Sequence, residues 1–211
     1  EKNGGVGMIL HGNYYGDNTK PSPTIKNCHF TNNKALTDLN TDISIVSVNY
    51  SQAKFINCTF TNNEVTGQYE DNAQVIKMKT HQDNPISPTF TGCTVSDNNA
   101  TGIDIGYSMS LIELCRIENN EGDGIYSQGF SYGGGDDYIA QPTINRCIIK
   151  GNSGVGFYNF AHSSPTIVNT AFIQNGSGGF ENNFDDNVAQ IVNCTFYKNI
   201  KNESDWDRGA G

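Results

Sequence analysis

The residues best suited to chemistry are carboxylates, two lysines and a small group of aromatics. Asp136 and Asp137 are adjacent in the Gly-rich segment GFSYGGGDDYIA (129–140), and Asp185 and Asp186 form a second pair. Paired carboxylates can act as acid and base on a glycosidic bond when they stand roughly 5–9.5 Å apart. They can also supply several of the oxygen ligands that Ca²⁺ takes, which makes Asp136 and Asp137 the candidate metal site. No EF-hand or nonapeptide Ca²⁺ repeat accompanies them, and no motif requires a cofactor. A solvated acidic loop is the simpler reading. Lys77 and Lys79 are candidates for the base that eliminative cleavage of an acidic polysaccharide needs. Asp104 and Glu181 are candidate polar contacts, and Tyr126, Tyr158 and Phe160 offer flat apolar rings on which a sugar can lie.

Other motif matches carry less. Gly129-Phe-Ser-Tyr-Gly133 fits the nucleophile-elbow string, but that elbow needs a strand–turn–helix and this stretch is a Gly-rich loop. The four histidines, at 11, 29, 81 and 162, lack metal-ligand spacing. Glycosylation sequons occur at Asn49, Asn57, Asn99, Asn175, Asn193 and Asn202, yet Asn57, Asn175 and Asn193 have a better explanation in a repeat.

That repeat must position any site. It reads PTIKNCHFTNN (23–33), AKFINCTFTNN (53–63), PTFTGCTVSDNN (88–99), SLIELCRIENN (110–120), PTINRCIIKGN (142–152), PTIVNTAFIQN (165–175) and AQIVNCTFYKN (189–199). One column holds Cys28, Cys58, Cys93, Cys115, Cys147, Thr170 and Cys194, at spacings of 30, 35, 22, 32, 23 and 24 residues. A floor near 22 implies a fixed minimal coil carrying variable loops. Apolar residues follow period 2 over three to five positions, rich in Ile, Val, Phe and Thr and punctuated by Asn and Gly. Helical repeats would need a 3.6-residue period.

Ile25 and Phe30 are five residues apart, so a straight strand would place them on opposite faces. A bend at Asn27 lets both point inward. The bend column is Asn27, Asn57, Gly92, Leu114, Arg146, Asn169 and Asn193; Leu114 and Arg146 depart from Asn or Gly and are expected to mark local distortion. A second column, Asn33, Asn63, Asn98, Asn120, Asn152, Asn175 and Asn199, is spaced to form an amide ladder at about 4.8 Å per rung. A third strand, mostly opened by Gly, precedes each segment (5–10, 42–48, 74–79, 101–107, 123–128, 155–160 and 178–183). Aligning these strands by their Gly gives one outward column of Ile9, Ser44, Ile76, Asp104, Tyr126, Tyr158 and Glu181. Asp104 and Glu181 are then about 14 Å apart, too far to act as a pair. The expected fold is all-β: a right-handed parallel β-helix of about seven coils, three short strands each, in a single domain spanning 1–211.

The cysteines fit a structural thiol stack better than disulfides. Equivalent inward positions have parallel Cα–Cβ vectors about 4.8 Å apart, outside disulfide range, and Thr170 separates Cys147 from Cys194. Free Cys packs as a small hydrophobe.

The repeat resembles the pectin-lyase-like β-helix proteins. The runs Phe30-Thr-Asn-Asn33, Phe60-Thr-Asn-Asn63, Phe172-Ile-Gln-Asn175 and Phe196-Tyr-Lys-Asn199 are similar to the Phe-x-x-Asn repeats of chlamydial polymorphic membrane proteins. These resemblances imply the fold; the families they point to include lyases, hydrolases and adhesins. The polygalacturonase set is absent apart from the Asp136-Asp137 pair.

The net charge of −9 and the scattered 13 basic residues argue against nucleic acid, and no apolar run is long enough to span a membrane. The first and last residues carry no signal, so the chain is expected to be a piece of a larger protein. The expected role is an extracellular or bacterial cell-surface segment that binds a polysaccharide or a surface protein, as an adhesin passenger does. The alternatives are a polysaccharide lyase or glycoside hydrolase using the same cleft, and a structural spacer.

Overall fold

A computed structural model describes residues 7–12, 20–36, 43–66, 73–80, 86–131, 137–183 and 188–200. The chain winds through three seven-stranded parallel sheets, visiting each once per coil. The first contains Met8–His11, Ile43–Asn49, Ala73–Lys79, Thr101–Gly106, Ile125–Gln128, Phe157–Asn159 and Phe180–Asn182. The second is built from three-residue strands beginning at Thr24, Lys54, Thr89, Leu111, Thr143, Thr166 and Gln190. The third begins at His29, Thr59, Thr94, Arg116, Ile148, Ala171 and Thr195. All neighbours pair in parallel, as a right-handed β-helix of about seven coils requires. Among the described residues no helix is long and apolar enough to cross a membrane.

Three inward columns fill the interior. The second sheet contributes Ile25, Phe55, Phe90, Ile112, Ile144, Ile167 and Ile191. The third contributes Phe30, Phe60, Val95, Ile117, Ile149, Phe172 and Phe196. The first contributes Met8, Val46, Ile76, Ile103, Ile125, Phe157 and Phe180. Because identical positions repeat each rung, rings stack face to face: Phe30–Phe60 at 4.8 Å, Phe55–Phe90 at 4.6 Å and Phe172–Phe196 at 4.9 Å.

Every member of the bend column is left-handed, with φ between 52° and 63°, including Leu114 (55°) and Arg146 (53°). The expected distortion at those two is absent: Leu114 N donates to Asn145 O and Arg146 N to Val168 O, as Asn27 N does to Ile56 O. The coil geometry overrides local preference, and the strain remains in the chain. Leu114→Asn should therefore raise stability by about 0.5–1 kcal/mol, since Leu114 is exposed and Asn tolerates this conformation. Thermal unfolding would read this as a rise of about 1–4 °C, and a fall in Tm would contradict it.

A second left-handed column escaped the sequence reading: Asn32, Asn62, Asp97, Asn119, Gly151, Gln174 and Lys198, with φ between 53° and 65°. It turns the chain just before the ladder asparagines. Each ladder Nδ2 donates to the next Oδ1 at 2.8–3.0 Å, from Asn33 through to Asn199. The same Nδ2 groups from Asn63 onward donate to a carbonyl of the preceding coil, as Asn120 does to Val95 O (3.1 Å). Each Oδ1 from Asn63 onward also accepts the previous ladder residue's backbone N–H. An interior amide thus satisfies both donors and both acceptor sites, which is what burial demands.

The glycine that opens most first-sheet strands has a packing reason. A Cβ on Gly102, Gly124 or Gly156 would lie 2.5–2.7 Å from the carbonyl oxygen of the equivalent glycine on the next coil, and close to a ladder Nδ2. No larger residue fits between ladder and rung.

All six cysteines are free thiols, and Cys58, Cys93, Cys115 and Cys147 are buried. Each Sγ lies within reach of the carbonyl two residues earlier, as Cys115 does with Glu113 O (3.2 Å), and Thr170 Oγ1 donates to Val168 O at 2.9 Å. The column selects a small side chain with a donor just after the bend, so Thr can replace Cys. Burial pushes the Cys58 thiol up, and the hydrogen-bonded thiols of Cys147 and Cys93, with burial, push Cys115 up. A thiol held protonated by the fold contributes its stability below its unfolded pKa of about 8.5 and loses it as pH rises beyond. Cys93 and Cys147, drawn down by their hydrogen bonds with Cys115, act in the opposite sense. Without reductant, six thiols should titrate after denaturation, while in the folded chain Cys28, the exposed one, reacts first. A total of two or four would contradict the stack.

Candidate functional site

The outer face of the first sheet carries the column Ile9, Ser47, Lys77, Asp104, Tyr126, Tyr158 and Glu181. The expected positions of Ser44 and Ile76 are therefore corrected: both are buried, and Ser47 and Lys77 hold the outward places. The Gly alignment fails there because strands Ile43–Asn49 and Ala73–Lys79 are seven residues long and lack an opening Gly.

Asp104 and Lys77 are register partners, and Lys77 Nζ lies 3.0 Å from Asp104 Oδ2. Their side chains are only 12% and 3% exposed. An ammonium held in such a pair is a proton donor, so this geometry does not present Lys77 as a base. Lys79 ends the same strand, exposed, beside Gly106. Asp104 and Glu181, read as surface contacts, are 2% and 5% exposed. They are on the predicted column but withdrawn from solvent.

Tyr126 and Tyr158 occupy adjacent rungs. Their rings meet edge to face, 5.5 Å between centroids at 66°, rather than as one flat platform. Phe160 completes a cluster, 6.0 Å from Tyr126 and 5.9 Å from Tyr158. Polar edges are fixed: Tyr126 Oη donates to Gln128 Oε1 (3.1 Å), and Tyr158 Oη accepts from Asn183 Nδ2 (2.8 Å). The three aromatics are half-buried.

Asp136, Asp185 and Asp186 lie outside the described residues. Asp137 starts the short strand Asp137–Tyr138, antiparallel to Phe130–Ser131, but its side chain lies outside the description. The carboxylate-pair and Ca²⁺ expectations thus stay as sequence readings. Among the described residues no group of three or more His, Cys, Asp or Glu could hold a metal ion.

The sequence reading missed a groove of about 500 Å³ at the corner between the third and first sheets, with Tyr158 on its wall. Described residues of five successive coils line it: Val65, Thr66 and Ala73, then 99–101, 121–123, 154–155 and Ser177. Side chains latch one corner to the next. Asn99 Oδ1 accepts Val65 N (2.6 Å), Thr101 Oγ1 accepts Asp123 N (3.3 Å), and Asp123 Oδ1 accepts Val155 N (2.7 Å). Gly122 and Gly154 let the corners stack closely: a Cβ on Gly122 would meet Thr101 N at 2.6 Å, and one on Gly154 would meet Asp123 Oδ1 at 2.2 Å. At one end, Val65 and Thr66 belong to an extra strand, Glu64–Thr66, paired with Lys34–Leu36. That strand exists because the early coils are longer. The signal in the sequence was the shortness of the corners Asn120-Glu-Gly-Asp-Gly124 and Asn152-Ser-Gly-Val-Gly156.

The site offers hydroxyl, amide and carboxylate oxygens beside an aromatic cluster, along a channel parallel to the helix axis. No curated protein is detectably similar to the chain. Residues 75–203, more than half of the chain, match the family described as Right handed beta helix region. The coils continue in the same register ahead of that match, back to Met8–His11. The parallel three-sheet architecture and the family match agree, and the chain belongs to the right-handed β-helix family.

Proposed function

We propose that this β-helix is a carbohydrate-binding segment, and that a polysaccharide occupies the corner groove and reaches the aromatic cluster. The observation that carries this reading is Tyr158, which belongs both to the groove wall and to the Tyr126–Phe160 cluster. Carbohydrate sites combine open aromatic surface with convergent polar groups, and Asn99, Thr101, Glu121 and Ser177 supply those here. Such a segment suits an extracellular or cell-surface location, where polysaccharides and surface proteins are the available partners. Buried thiols suit it too, since oxidants reach them slowly.

The lyase or hydrolase reading has less support, because Lys77, its candidate base, is held by Asp104. A glycan array, followed by reducing-sugar and unsaturated-uronate assays on every binder, separates the readings. Binding without product is the expected result. Product release would favour the enzyme, and an array with no binder would leave the spacer reading.

A further inference from the structure

We infer that the groove accepts a linear glycan lying along the helix axis, roughly one sugar per coil, and that it selects uncharged chains over polyuronates. This rests on the carbohydrate reading and adds the ligand's class and direction. The direction follows from the five corners, which recur at about 4.8 Å and span about 19 Å. A chain laid across the axis would meet one corner; a chain laid along it meets every one.

The charge class follows from the lining. Among the described lining residues the only charges are the carboxylates of Glu121 and Asp123. Lys77 is turned to Asp104 on the outer sheet face rather than to the groove. A polyuronate would set a uronate beside the 121–123 corner, where both carboxylates stand and where no described lining residue is a cation, within a chain of net charge −9, and like charges this close repel. Hydroxyls suffer no such penalty and can donate to the same carboxylates.

Affinity gel electrophoresis of the 211-residue chain, at fixed ionic strength, tests this with galactomannan, xylan and hydroxyethylcellulose as neutral polymers and with polygalacturonate and alginate as anionic ones. The expected result is retardation by at least one neutral polymer, with at least tenfold weaker retention by both polyuronates. Thr66→Trp, an exposed position on the wall, should abolish that retardation by filling the groove without touching the core. Glu121→Lys should gain polygalacturonate retention, and Gln190→Lys, exposed on the second sheet, should not. Equal or stronger retention by a polyuronate, or full neutral binding in Thr66→Trp, overturns this inference and leaves carbohydrate binding standing. No retardation by any polymer overturns both.

Discussion

Asn120→Ala is expected to destabilise the fold by about 3–5 kcal/mol, the larger consequence of a single polar change in the molecule. Asn120 is 1% exposed. Its Nδ2 donates to Val95 O and to Asn152 Oδ1, and its Oδ1 accepts from Asn98 Nδ2 (2.8 Å) and Asn98 N (3.4 Å). Removing the amide leaves a buried N–H, a carbonyl and two neighbouring amides short of partners, at about 1–3 kcal/mol for each group truly stranded. Asn120→Asp should be no better, because a carboxylate cannot donate to Val95 O or Asn152 Oδ1, and burying its charge adds a further cost. For a chain of this size the loss should appear as a fall in Tm of about 6–20 °C. A cost below 1 kcal/mol would mean the ladder decorates the corner instead of holding it.

Phe60→Ala should cost a similar amount, about 3–5 kcal/mol, through a different mechanism. Phe60 is fully buried. It stacks on Phe30 at 4.8 Å and meets Phe55 edge-on at 5.9 Å and Phe90 at 6.5 Å. In a solenoid each coil buries its apolar face only against its neighbours, so the cavity opens between two rungs that have no other cover. Phe60→Leu keeps most of the volume and should cost clearly less. Comparable losses for Leu and Ala would show that the stack's geometry matters more than its bulk.

These two positions were legible in the sequence for a simple reason: the inward columns and the ladder repeat once per coil, and repetition survives even where loops vary. The bend was legible from parity, because Ile25 and Phe30 cannot share a face otherwise. Leu114 and Arg146 show the limit. Residue type suggested a distortion there, yet the hydrogen bonds from neighbouring coils hold both at the same left-handed φ as the asparagines. The outward register failed at Ser44 and Ile76 because the Gly that anchors the other strands is absent in those two coils. Burial of Asp104 and Glu181 was not legible, since it depends on what covers the sheet face rather than on the strand itself. The groove was missed for a related reason. It is made by the difference between long early corners and short later ones, a contrast across coils that no single motif carries.

The most direct measurement of the central claim is the affinity of Tyr158→Ala for the best glycan on the array, beside Tyr158→Phe and a Tyr197→Ala control. Tyr197 is an exposed aromatic on the third sheet, away from the groove. Loss of a ring that contacts a sugar should weaken binding about tenfold. The predicted result is that loss for Tyr158→Ala, near-native affinity for Tyr158→Phe, and no change for Tyr197→Ala, all measured well below the Tm of each variant. Unchanged affinity in Tyr158→Ala, or an equal loss in Tyr197→Ala, would contradict a site at the groove and its aromatic cluster.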